Sequence, residues 1–223
     1  MKAAPTTASA MAEHWNGRAH RFNPAASHLR HRDQWCTVFA AALGTEPKDV
    51  VDLGCGTGAC AILAAELGHR VRAVDGSSAM LQFARAEAVE RGLHVTFIQA
   101  SMDDARLEDD SADIVTIRNV LWTLENPEAA LTLARRVLRP GGMLLVSDGL
   151  WYLHRQNNSA AEFGVKLPYF NGLAAEDVKA MLERATFTGV RTWQNLFDAH
   201  PYGSVYDDPT RKIDFFVLTA IRA

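Results

Sequence analysis

The stretch VVDLGCGTGAC, residues 50–60, decides how the rest of the chain is read. A short apolar run ends at Leu53, Gly54, Gly56 and Gly58 let the backbone turn sharply, and Ala59 opens a helical stretch. A strand, a glycine turn and a helix in that order bring backbone close to a bound ligand. The turn alone leaves the ligand open. Gly54, Gly56 and Ala59 also satisfy the G-x-G-x-x-G/A pattern of dinucleotide sites, and Asp75 falls near the spacing expected of their ribose-binding acid.

Working outward, RVRAVD (70–75), HVTFIQA (94–100), ADIVTIRN (112–119) and MLLVSDG (143–149) are further short runs of strand character, separated by helical or turn-rich stretches. Such alternation predicts a parallel sheet with crossover helices. Ser77 or Ser78 is placed to cap a helix over 78–91, and Gly92 sits where it should unwind. Asn126 and Pro127 supply an N-cap and a first-turn proline for 127–138. Pro140, Gly141 and Gly142 should break the chain before the fifth strand.

Beyond it, 151–172 lacks clear periodicity, 174–185 reads as a helix, and VRTWQNL (190–196) and IDFFVLTAI (213–221) read as two last strands. Upstream, residues 1 to about 10 are small and polar and are expected to fray, and two short helices are expected between Met11 and Leu43. The expected architecture is therefore a Rossmann-like α/β fold. It has a seven-stranded, mostly parallel sheet, helices on both faces and an antiparallel C-terminal strand. Residues 1–44 form an N-terminal helical cap, and residues 45–223 form the main domain with a lid insertion at about 151–172.

Composition narrows the partners. With 23 Lys and Arg against 26 Asp and Glu, the chain lacks the broad basic surface of a nucleic-acid binder. Cys36, Cys55 and Cys60 form no Cys-x-x-Cys pattern, which favours a reducing compartment over a disulfide scaffold or zinc site. The N-terminus has no continuous apolar segment of signal-peptide type, and no apolar run reaches membrane-spanning length. A cytoplasmic protein, with no membrane partner, is expected as a monomer or homodimer. His28 and His31 share a helical spacing, yet no other ligand completes a metal site, and Glu108–Asp110 reads as a solvated turn.

Asp52 helps to choose the cofactor. A carboxylate at the strand end sits poorly beside a dianionic pyrophosphate and favourably near the ammonium of a sulfonium amino acid, so charge favours S-adenosylmethionine (SAM). Asp75 is placed to accept from two ribose hydroxyls, or is a strand-end turn residue, and Met80 can pack on adenine.

In these segments the sequence resembles the class I SAM-dependent methyltransferases. VDLGCGTG matches the Asp-x-Gly-x-Gly-x-Gly motif of the family, AVDGS its acidic second-strand end, and 112–148 its fourth-to-fifth-strand block. The resemblance implies that Asp52, Gly54, Cys55, Gly56 and Gly58 surround the methionine part. Asp75, Gly76 and Ser77 would hold the ribose, with Ser101, Met102 and Asp103 flanking adenine beside Met80. Many members have Asp where Ser101 stands, so Asp103 or a backbone carbonyl would take that contact. Asn119 would offer its backbone carbonyl to the SAM amino group. HWNGRAHRF (14–22) resembles a segment that folds over the cofactor, which puts Trp15 or Arg18 at its carboxylate or, alternatively, makes them packing and solvated residues.

Methyl transfer to a small-molecule acceptor, through nitrogen, oxygen or sulfur, would leave S-adenosylhomocysteine. The protein then chiefly orients the acceptor, with a base where the nucleophile is weak. Asp148, Tyr152 and His154, which follow the fifth strand, are the candidates for that contact, and the setting suits specialised metabolism. Two rivals stand beside this reading. A short-chain NAD-dependent oxidoreductase would carry Tyr-x-x-x-Lys, which Tyr152, Tyr169, Tyr202 and Tyr206 do not. A noncatalytic SAM-binding module would keep the fold without a working acceptor pocket.

Overall fold

A computed structural model describes residues 6–25, 31–151, 156–198, 201–202 and 214–223. At its centre is a seven-stranded sheet of order β3-β2-β1-β4-β5-β7-β6. β1 (Asp49–Leu53) lies parallel between β2 (Arg70–Asp75) and β4 (Ala112–Arg118). β3 (Val95–Gln99) and β5 (Leu138–Gly149) extend it in parallel, whereas β7 (Phe215–Arg222) pairs antiparallel with both β5 and the edge strand β6 (Phe187–Thr192). The strand order reverses between β1 and β4, and ligands of open α/β sheets bind outside the strand C-termini at such a point.

Both faces are covered, as expected of buried parallel strands. On β4 and β5, Val115, Ile117, Leu144 and Val146 pack beneath α5 (Pro127–Val137) and α7 (Ala175–Arg184). The alternate residues Ile114 and Leu145 join Trp35, Phe39 and Leu63 on the opposite face, under α2 (Arg32–Leu43) and α3 (Ala59–Glu66). The first helix, α1 (Thr7–Ala25), lies against α4 (Ser78–Glu90). Of the two candidate caps, Ser77 caps α4 by accepting from the Met80 amide at 3.1 Å, and Asn126 caps α5 through the Ala129 amide.

Several expectations need correction. α1 begins at Thr7 rather than fraying to residue 10, because the Thr6 hydroxyl accepts from the Ser9 amide and closes the first turn. It is also long rather than short. Pro140–Gly142 does not precede β5 but forms a bulge within it: Leu138 already pairs with Ala112, and pairing resumes with Met143 opposite Ile114. β6 starts earlier than expected and stops at Thr192, and Gln194–Leu196 is a 3-10 turn. The stretch 151–172 contains a short helix, α6 (Ser159–Phe163). Among the described residues no helix is long and apolar enough to cross a membrane.

Candidate active site

A cavity of about 820 Å³ opens at the C-terminal ends of β1, β2 and β4. Its floor is the glycine turn. Gly54 (φ 70°) stands in the left-handed region, and a Cβ there would come within 2.5 Å of Val120. Gly56 also has positive φ, and its amide donates to Asp75 Oδ2 at 2.8 Å. Gly58 differs. It caps α3, and the absence of a side chain admits Ile62 and Ala84, so it serves helix packing and does not line the cavity. Between the last two glycines, the Thr57 hydroxyl is buried in the cavity wall with no hydrogen-bond partner among the described residues.

Asp75 ends β2 at the cavity, its Oδ1 accepting from the Ser77 amide at 2.8 Å while Oδ2 holds Gly56. Burial raises its pKa, and those two amides oppose the rise. Cys55, Gly76, Ser77, Met80, Met102 and Asp103 line the same region. Ser101 does too, but its hydroxyl is committed to Asp104, donating to Oδ2 at 2.7 Å and accepting from the amide. Asn119, with φ of 58°, turns the chain after β4, and its carbonyl accepts from Trp122 Nε1 at 3.0 Å.

Asp52 is placed differently from the expectation. It is buried behind the turn, away from the cavity lining, and accepts from the Ala61 amide at 3.0 Å and the Thr116 hydroxyl at 2.7 Å. Burial pushes its carboxyl up to about 7. It therefore fastens the first turn of α3 to β4 and has no direct ligand contact to offer. The acid that faces the cavity from this pair of strands is Asp75.

Asp148 is likewise walled off, with its Oδ1 accepting from Trp151 Nε1 at 2.8 Å and from the Gly149 amide at 2.9 Å. Desolvation pushes it up to about 7. Trp151, which it orients, does line the cavity. Tyr152 and His154 lie outside the described residues, as does His28.

Over the cavity runs α1. Trp15 and Arg18 both line it, Trp15 edge-on to Trp122 and Arg18 near Glu162 at 3.7 Å. The residue that sequence reasoning missed is Asn16, whose Oδ1 accepts from the Ser77 hydroxyl at 2.8 Å and the Ala79 amide at 3.1 Å. No motif marks it. Trp122 and Thr57 were also missed, although Thr57 lies inside the quoted glycine turn.

The strand order and the glycine turn are those of a Rossmann-like fold. Residues 51–146, less than half of the chain, match the methyltransferase domain family, and the fold is the one that SAM-dependent methyltransferases share. The ubiquinone biosynthesis O-methyltransferase of Cupriavidus pinatubonensis is 32% identical over 140 residues, 62% of this chain and 55% of that protein. The chain spans about half the length of the first curated relatives it matches. A Thermotoga maritima SAM-dependent methyltransferase, described as a possible histamine N-methyltransferase, superposes with a TM-score of 0.60 at 22% identity, covering 98% of this chain and all of that one. The cyclase SpnF superposes with a TM-score of 0.62 at 21% identity over 83% of this chain and 78% of its own. Likeness of this degree speaks for the fold, and fold alone does not fix chemistry.

The residues present suit SAM. Gly54 and Gly56 have no side chain to obstruct it, the buried Thr57 hydroxyl has no partner among the described residues, and an acid ends β2.

Proposed function

We propose that the protein transfers the methyl group of SAM to a hydroxyl of a small, largely apolar acceptor. One observation carries the reading: a single cavity joins the glycine turn and Asp75 on one side to Trp15, Trp122, Trp151 and Phe170 on the other. Cofactor and acceptor would then share one enclosure, as an in-line displacement requires. The choice of oxygen is supported by the O-methyltransferases to which the chain is similar.

In this reading Gly54, Gly56 and Thr57 hold the methionine part, Asp75 the ribose hydroxyls, and Met80 and Met102 the adenine. The Asn119 carbonyl has one lone pair beyond that used by Trp122 and takes the amino group. SAM supplies an activated methyl group on a positively charged sulfur; the chain supplies orientation and exclusion of water. Asp148 acts as a positioning residue through Trp151. α1 and α6 form the lid, and the net charge of −3 speaks for a small acceptor rather than nucleic acid.

The test is incubation with methyl-deuterated SAM and pooled metabolites, followed by mass identification of labelled products. Transfer to an oxygen of a small molecule supports the proposal. Binding of SAM with no labelled product would leave a noncatalytic module.

A further inference from the structure

Displacement by a neutral hydroxyl is slow unless its proton is removed as the new bond forms, so the proposed reaction calls for a base at the cavity. None of the acids of the strand ends serves well. Asp52 and Asp148 are walled off, and both oxygens of Asp75 hold backbone amides.

The lid carries another candidate. His14, on α1, lines the cavity one position before Trp15, and its Nδ1 lies 3.3 Å from Glu162 Oε1 on α6. Its ring is held edge-on between Phe163, at 4.9 Å between centroids, and Trp15, at 5.4 Å. Trp15 leans on Trp122, whose indole hydrogen-bonds Asn119 beside the glycine turn. His14 Nε2 has no hydrogen-bond partner among the described residues. A carboxylate at Nδ1 keeps the neutral ring protonated there, which leaves the Nε2 lone pair available.

We infer that His14, oriented by Glu162, is the general base that takes the acceptor hydroxyl's proton. The inference rests on the function proposed above. His14 Nε2 receives the proton while an oxygen lone pair forms the bond to the methyl carbon; that carbon's bond to sulfur breaks, and the electron pair stays on sulfur. The positive charge passes in net from the sulfonium to the imidazolium, where Glu162 offsets it. Burial and Arg18 lower the pKa of His14 and Glu162 raises it, with a net lowering, so the ring is largely neutral at pH 7.5. Arg18 and Glu162 are the charged groups that bear on it. A base on the lid is in place only when α1 is seated, which couples proton removal to closure.

Two measurements test this. Long-range 15N–1H NMR of imidazole-labelled protein, with His14 assigned by His14→Gln, should find the neutral ring protonated at Nδ1 at pH 7.5, and Glu162→Gln should weaken that preference. An imidazolium, or a ring protonated at Nε2 alone, would overturn the assignment whatever the activity. With a hydroxyl acceptor found in the labelling screen, His14→Gln should lower kcat by about 100-fold or more while SAM affinity stays within a few-fold, general bases contributing about 10²–10⁴. The loss should shrink at high pH, where the acceptor ionises unaided. An unchanged kcat and pH profile would overturn the role of His14 alone. Failure of the parent protein to methylate anything would count against the function itself, and the NMR result would still decide the dyad.

Discussion

Asn16 on α1 and Ser77 at the cap of α4 are 61 residues apart in sequence and 2.8 Å apart in space, the serine hydroxyl donating to the asparagine side chain. The same oxygen accepts from the Ala79 amide. A residue of the N-terminal helix thus completes the helix start that follows Asp75, and the covering segment is tied directly to the Asp75 side of the cavity. Asn16→Ala should cost about 1–2 kcal/mol of stability, the scale of lost hydrogen bonds to partly buried donors. It should also weaken SAM several-fold, as read by melting curves with and without the cofactor. Parent-like SAM affinity would show that this tie does not bear on the site.

The glycines of the turn should separate stability from binding. A Cβ at Gly54 meets Val120 at 2.5 Å, whereas one at Gly56 meets no atom within 4 Å. Gly54→Ala should therefore destabilise the fold by about 2–4 kcal/mol through overpacking and a left-handed φ. Gly56→Ala should cost about 1–2 kcal/mol in stability from φ alone and lose more in SAM affinity, because its methyl group points at ligand space. Paired melting and titration experiments check the inversion.

Asp75→Ala should weaken SAM by about 1–3 kcal/mol, since a charge-assisted acceptor is lost. The fold will feel it too, because Gly56 and Ser77 lose their acceptor. An unchanged dissociation constant in calorimetry would reduce Asp75 to a turn residue.

Stability should also depend on pH in a particular sense. Asp52 and Asp148 are pushed up to about 7, so between about pH 4 and 7 the folded state binds more protons than the unfolded chain, and stability falls as pH rises through that window. His14 and His69, with lowered pKa, oppose this below their unfolded value. Asp148→Asn should flatten the slope of melting temperature against pH across that window, whatever its absolute cost. An unaltered slope would mean that Asp148 is ionised throughout.

Much of the fold was legible because parallel strands buried on both faces write continuous apolar runs, and because Ser77, Asn126 and Pro127 punctuate the helices by local chemistry. The bulge at Pro140–Gly142 was not, since a break signal in sequence looks the same whether the chain leaves the sheet or steps around one residue within it. At the site, the glycine turn and Asp75 could be read from pattern. Asp52 and Asp148 misled for one reason: an acid at a strand end reads as facing ligand, and only tertiary packing decides whether its oxygens are taken by Ala61 and Thr116, or by Trp151. Asn16 was invisible because its partner lies on another element.

Removing residues 1–22 should lower turnover far more than global stability, because α1 covers the cavity while the two large core clusters lie on the sheet and Met11 packs only on the small third one. SAM affinity should fall as well, since Trp15 and Arg18 go with it. A folded truncation that methylates at the parent rate would contradict the lid.

The central claim is that this cavity seats SAM on the glycine turn, and calorimetric titration of the full chain with SAM, S-adenosylhomocysteine and NADH tests it most directly. The expected result is saturable one-to-one binding of the first two, a melting temperature that rises with their concentration, and no binding of NADH. Saturable binding of NADH with none of SAM would contradict it.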